Sequence, residues 1–213
     1  MISEDKIEET KRRASPLPRI RSEQVLKNSK GEEIGTDVLS TIDWVQDLHS
    51  LPGTDVLATI GAMSSPNETL SPGIDPDHLF ITMLRQRLIS DILFMWNSKQ
   101  QVFHTVLALG EEVAGHPRVT HGGFTSAVID ESTGGLVFEL IKLGLAKGPA
   151  YTARLEIDFK RPLPVDMVVC CTAKLNSIEG RKIWVSAEML DKPGGLVFAT
   201  GKALYVTPRQ EGS

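Results

Sequence analysis

The sequence predicts an α+β fold: one curved antiparallel β-sheet wrapped around a single long central helix, with an N-terminal extension ahead of it. Three observations carry this. The segment 122–142 is apolar almost all round, with Phe124, Ala127, Val128, Ile129, Leu136, Val137, Phe138, Leu140 and Ile141, so it is a helix buried on most sides. Strand-like segments flank it, two before and four after. A single sheet can bury such a helix only by curling around it.

In chain order, residues 1–35 are charged and aperiodic and are expected to be disordered or loosely docked. Helix-like patches follow in "IDWVQDLHSL" and "TDVLATIGAM". The run "SSPNETLSPGIDPD" is dense in Pro, Gly, Ser and Asn and reads as a linker. It contains a glycosylation sequon, Asn67-Glu68-Thr69, in a chain with no sign of secretion. In "PDHLFITMLRQRL" the spacing is helical, with Leu79, Met83 and Arg87 on one side and Phe80, Leu84 and Leu88 on the other. Then "DILFMW" and "QVFHTVLALGEEV" read as a hairpin turning at "NSKQ". After the central helix come "YTARLEIDF", "MVVCCTAKLNSI", "KIWVSAEML" and "LVFATGKALYV", which read as a four-strand meander with turns at "EGR" and "DKPGG". The prolines of "KRPLP" suit a sheet edge or a bulge. The expected organisation is an extension over 1–75, partly disordered or helical, and a domain over 76–213.

Bulk properties narrow the function. A formal charge of -4 and a pI of about 5.8 argue against general nucleic-acid binding, which needs a basic face. No apolar run approaches the ~20 residues of a membrane helix. The two cysteines, Cys170 and Cys171, are adjacent. Neighbours on a strand point to opposite faces and pair poorly, so they read as packing residues of a reducing compartment. The N-terminus is not a secretory signal and is acidic for a transit peptide, although "KRRASPLPRIR" is basic. The expected location is cytoplasmic, with the mitochondrion as the alternative.

The chemistry concentrates in "VTHGGFTSAVIDEST", Val119 to Thr133. A helix start leaves about four N–H groups unpaired and carries roughly half a positive charge. Glycines there let a ligand approach the backbone closely. His121, Gly122 and Gly123 could therefore present an oxyanion hole, although a lone H-G-G is more often a plain helix cap. Asp130 directly follows Ala127-Val128-Ile129, and a carboxylate on a buried helix is costly unless paired, protonated or used. Lys142, Arg154 and Lys160 are candidate ion-pair partners. Gly123 and Asp130 are about 10 Å apart along a helix axis, too far to act on one carbonyl. If both act on the same carbonyl, they come from two subunits.

Other candidates are weaker. His116 and His121 lack the further ligands a metal site needs, so no metal is expected. Ser126 and Ser132 have no histidine at a recognisable spacing, which disfavours a serine nucleophile. Glu131 points about 100° away from Asp130. Lys160, Arg161 and Arg181 form the nearest basic group and could contact phosphates, or could simply be solvated strand ends.

The blocks "GHPRVTHGGFTSAVIDESTG", "YTARLEIDFKRPLP" and "EGRKIWVSAEM" resemble the hotdog-fold acyl-CoA thioesterases, in particular the branch of thioesterase superfamily members 4 and 5 and many fungal proteins. That branch shares G-H-P-x-x-x-H-G-G, an Asp in the helix, and T-A-x-L-x-I-x-[FY]-[KR]-[RK]-P. The resemblance covers about 90–208. It implies that Asp130 orients or deprotonates the attacking water and that Thr152 assists water or substrate. It implies too that His121-Gly122-Gly123 polarises the thioester carbonyl through a glycine N–H. Lys160, Arg161 and Arg181 would contact coenzyme A. Two departures stand out: Phe124, which would narrow the pocket, and the longer, lysine-containing "KLGLAKGPAY" before Thr152. The implied protein is an acyl-CoA thioesterase, a homodimer or dimer of dimers, that needs no cofactor.

Two rivals remain. An enoyl-CoA hydratase of the same fold would carry a His a few residues after the Asp, but Glu131, Ser132, Thr133, Gly134 and Gly135 follow here. A non-catalytic acyl-CoA-binding protein would keep the fold without turnover.

Overall fold

The computed structural model describes residues 39–57, 79–86 and 88–209. Residues 1–38 and the "SSPNETLSPGIDPD" linker, with the expected 75/76 boundary, lie outside them, as do Arg87 and the end of "TDVLATIGAM".

The first element is a 3-10 turn, Leu39–Thr41, followed by helix α1, Asp43–Ser50. Asp43 lies in the first turn of α1, where a negative charge suits the helix dipole, and the chain leaves α1 at Leu51-Pro52. Residues Thr54–Val56 form a strand, β1, rather than the expected helix, because they pair with β2 at Asn97, Trp96 and Met95. Asn97 reinforces this by donating to Thr54 Oγ1 at 2.8 Å and accepting from Gln100 N at 2.8 Å. Helix α2, Leu79–Arg85, is helical as its spacing predicts. It buries Phe80, packs Met83 partly against the core and leaves Leu79 exposed.

Strands β2 (Ile89–Asn97) and β3 (Val102–Leu109) form the expected hairpin. Glu111–Val113 is a 3-10 turn. The short pair β4 (Ala114–His116) and β5 (Val119–Thr120) leads into helix α3, Gly122–Lys142. Strands β6 (Tyr151–Phe159), β7 (Val168–Glu179), β8 (Lys182–Leu190) and β9 (Val197–Val206) complete the fold. All pairings of the main seven-stranded sheet are antiparallel, and its order is β1-β2-β3-β7-β8-β9-β6.

The four C-terminal strands are therefore not a simple meander. Only β7-β8-β9 follow one another, while β6 crosses over to pair with β9 and forms the sheet edge. The physical reason lies in "KRPLP". After Phe159 the chain turns off the edge, with the N–H groups of Lys160 and Arg161 both on Phe198 O. The following residues staple to the approach of α3, through Thr120 N to Leu163 O at 2.8 Å and Val165 N to Arg118 O at 3.2 Å.

Helix α3 packs against β3, β6, β7, β8 and β9, as its all-round apolarity requires. Gly135 and Gly201 allow close approach, since a Cβ would lie 2.5 Å from the Phe103 ring at the first and 2.4 Å from Ile129 of α3 at the second. The helix stops at Gly144, which takes φ +73°, a conformation that costs glycine little. Alternation along the strands creates two cores. One lies between α3 and the inner face and includes Phe103, Leu107, Val169, Cys171 and Tyr205. The other lies between residues 39–56 and the outer face, where Val45 and Leu48 meet Leu93, Met95, Val106 and Cys170. Cys170 and Cys171 thus face opposite cores as free thiols. Burial pushes each thiol up to about 12.

Candidate active site

The loop into α3 is fixed before the helix begins: His121 N donates to Val113 O at 2.8 Å, and Thr120 Oγ1 to Pro164 O at 3.2 Å. His121 is the N-cap, and its Nδ1 accepts from Gly123 N at 2.9 Å. The imidazole therefore presents Nδ1 as an acceptor, and the Gly123 N–H is engaged. Among the described residues the Gly122 N–H has no acceptor. Gly122 lines a cleft of about 280 Å³ with Thr120, Thr125, Phe159, Lys160 and Arg161.

The structure brings Lys160 and Arg161 to this helix start. Lys160 pairs with Asp158 at 3.3 Å, and Arg161 donates to Val197 O at 2.6 Å. Arg181 is elsewhere. It sits in the β7–β8 turn and donates to Thr207 O, past the far end of β9 from Phe198 and roughly 30 Å of strand away at ~3.3 Å per residue. The sequence could not separate it from the other two, because only sheet register shows which strand ends are neighbours. Phe124 does not line the cleft. It is buried and its ring packs on Phe80 at 6.4 Å between centroids.

A second cluster lies about two turns along α3. Asp130 is half-buried, and its Oδ1 accepts from Thr152 Oγ1 at 3.0 Å. This contact joins two of the residues singled out in the sequence across 22 positions, and it directs the Thr152 hydroxyl to the carboxylate. None of Lys142, Arg154 and Lys160 pairs with Asp130. Lys142 bonds Glu139, Arg154 bonds Glu156, and Lys160 bonds Asp158. Ser126 donates to Gly122 O at 2.9 Å, and fully buried Ser132 lies 2.6 Å from Val128 O. Neither is placed as a nucleophile.

Tyr205 was not singled out from sequence. Its Oη lies 3.0 Å from Asp130 O, 3.3 Å from Asp130 Oδ1 and 2.9 Å from Thr133 Oγ1. Burial raises its hydroxyl to about 12, so it stays a phenol. The signal available was faint: a polar-tipped aromatic ending the inward row Gly201, Ala203, Tyr205.

Within one chain the helix start and the Asp130 cluster are thus separate. The edge strand β6 carries exposed Tyr151 and Phe159, and Phe138, Leu143 and Leu145 are exposed on and just after α3. Among the described residues, no helix is long and apolar enough to cross a membrane, and no group of three or more His, Cys, Asp or Glu side chains could hold a metal.

Residues 117–198 match the thioesterase superfamily. The acyl-coenzyme A thioesterase THEM4 of Xenopus laevis is 32% identical over 97 residues, 46% of this chain and 41% of that protein. Its Rattus norvegicus counterpart is 28% identical over 127 residues, 60% of this chain and 52% of that one. The chain thus spans about half the length of the curated relatives it matches, or less. The solved structure of zebra fish thioesterase superfamily member 2 superposes with a TM-score of 0.50 at 15% identity, covering 70% of this chain and 93% of that one. That likeness is one of fold: the same antiparallel sheet around one long helix. With Gly122, Gly123, Asp130 and Thr152 all inside the matched segment, the chain is similar to the thioesterase superfamily over residues 117–198 and has the hotdog fold, an antiparallel sheet around one long helix.

Proposed function

We propose that the protein hydrolyses the thioester of acyl-CoA to a free fatty acid and coenzyme A, working as a homodimer or a dimer of dimers. The observation that carries this reading is the Asp130 carboxylate held by the Thr152 hydroxyl on the helix face beside an open sheet edge. The relatives named acyl-coenzyme A thioesterase support the substrate class.

Asp130 takes a proton from water as the water oxygen bonds the thioester carbonyl carbon. The negative charge that builds on the carbonyl oxygen is met by the helix start of the second copy, where the Gly122 N–H is open and the dipole favours an anion. The C–S bond then breaks, and the thiolate of coenzyme A leaves and takes up the proton held by Asp130, which returns the carboxylate to its starting state. Lys160 and Arg161, which line the cleft at that helix start, meet the coenzyme A phosphates. Arg181 has no part in this reading. The supports for a dimer are the side of β6 that pairs with no strand among the described residues, the exposed aromatics Tyr151 and Phe159 on it and the separation of the two clusters.

A panel of acyl-CoA chain lengths read by thiol release tests the proposal. Steady release of one thiol per acyl group is the expected result. Binding without release would make the protein a carrier, and hydration of an enoyl-CoA without release would make it a hydratase.

A further inference from the structure

We infer that Tyr205 is a positioning residue for Asp130, fixing which carboxylate oxygen addresses the water. The inference rests on the hydrolytic reading above.

Register brings the residues together. Tyr205 of β9 is paired with Thr152 of β6, and paired residues on neighbouring strands project to the same face. Both therefore reach toward α3 at Asp130. The ring of Tyr205 is 4% exposed, so phenylalanine would fill the same space. A buried hydroxyl is unfavourable unless it is hydrogen-bonded, and here three oxygens surround it.

A phenol has one proton to give. The Thr133 hydroxyl lies 2.9 Å from Oη and has main-chain acceptors of its own, Ile129 O and Asp130 O at 3.0 Å each, so the Tyr205 proton is shared between Thr133 Oγ1 and Asp130. Its two acceptors there are the main-chain O at 3.0 Å and Oδ1 at 3.3 Å. With Thr152 Oγ1 at 3.0 Å from the same oxygen, Oδ1 faces two hydroxyls. Among the described residues Oδ2 has no hydrogen-bond partner. The carboxylate is thus pinned at Oδ1 and open at Oδ2, and Oδ2 is the atom that takes the proton. Gly134 makes room for this arrangement, since a Cβ there would lie 3.3 Å from Oη.

Tyr205→Phe removes the hydroxyl and keeps the ring. A supporting shell that loosens by a fraction of an ångström costs about ten- to a hundredfold in rate. The expected result is a fall of about that size in kcat, with KM within about twofold. In an Asp130→Asn background Tyr205→Phe should add no loss, because there is no base left to aim. Gly134→Ala is the second variant. It crowds Oη while favouring the helix, so a lower kcat in a protein at least as stable again points to the hydroxyl. An active wild type whose Tyr205→Phe variant keeps full kcat overturns the role of Tyr205 alone. An equal loss with and without the Asp130 carboxylate overturns it too, since packing would then be the cause. A wild type that releases no thiol from any acyl-CoA overturns the hydrolytic reading itself.

Discussion

Replacing Asp130 by Asn separates a catalytic carboxylate from a structural one. The amide keeps an oxygen that can accept from Thr152 at 3.0 Å and Tyr205 at 3.3 Å, so the shape of the cluster should survive. Two losses follow, of different size. Hydrogen bonds to charged acceptors contribute about 1.5–3 kcal/mol and neutral ones about 0.5–1.5, so two weakened bonds cost about 1–3 kcal/mol. Thr152 is exposed, and solvent screening places the cost near the lower end. At about 2–4 °C per kcal/mol for a protein of this size, Tm should fall by roughly 2–6 °C. The amide cannot take a proton from water, and general-base help is worth about 10²–10⁴-fold. The assay therefore measures thiol release at saturating substrate and thermal unfolding on one preparation. A rate that drops a hundredfold or more with a modest shift in Tm is expected. Wild-type turnover in a less stable protein would refute the reasoning and leave Asp130 as a structural acceptor for two hydroxyls.

Gly123→Val places a Cβ 3.0 Å from the His121 ring and should dislodge the cap. Displacing the helix start that carries the open Gly122 N–H should lower the rate by about 10²–10³, the size of a lost oxyanion-hole contact, and an unchanged rate in a folded variant removes the helix start from the mechanism. His121→Ala removes the side chain that accepts from Gly123 N; caps contribute about 0.5–2 kcal/mol, so thermal melting should show a drop of a few degrees. Tyr151→Glu combined with Phe138→Glu puts charges on two exposed aromatics beside the β6 edge. Sedimentation should then show a monomer with little thiol release, against an active dimer for the wild type, and an active monomer would refute the shared site. His104 is held down to about 4 by burial first and by Lys174 second. Its folded pKa lies below the unfolded 6.5, so the unfolded chain binds the proton first and stability falls as pH drops from about 6.5 to 4. At about 1.4 kcal/mol per unit the loss is on the order of 3 kcal/mol. His104→Gln, measured by denaturant unfolding, should flatten that window.

Local sequence determined the central helix, the β2–β3 hairpin and the strand segments, because each depends on periodicity and turn chemistry within a few residues. It also singled out His121, Gly122, Gly123 and Asp130, since glycines at a helix start and an acid on an apolar helix are visible without coordinates, whereas Thr152 came only through the resemblance of "YTARLEIDFKRPLP" to a known family. Tertiary structure decided what long-range pairing controls. Thr54–Val56 looked helical alone, but became a strand because β2 offered it an edge. The meander was broken because β6 crosses to β9, and pairing partners far apart in sequence leave no local trace. The same register put Tyr205 beside Thr152 and Asp130, and left Arg181 at the opposite end of the sheet from Lys160 and Arg161. Which residue types the candidate site offers was written in the chain. Which of them meet was set by strand register and by the close packing of α3, where the position of every side chain depends on residues tens of positions away.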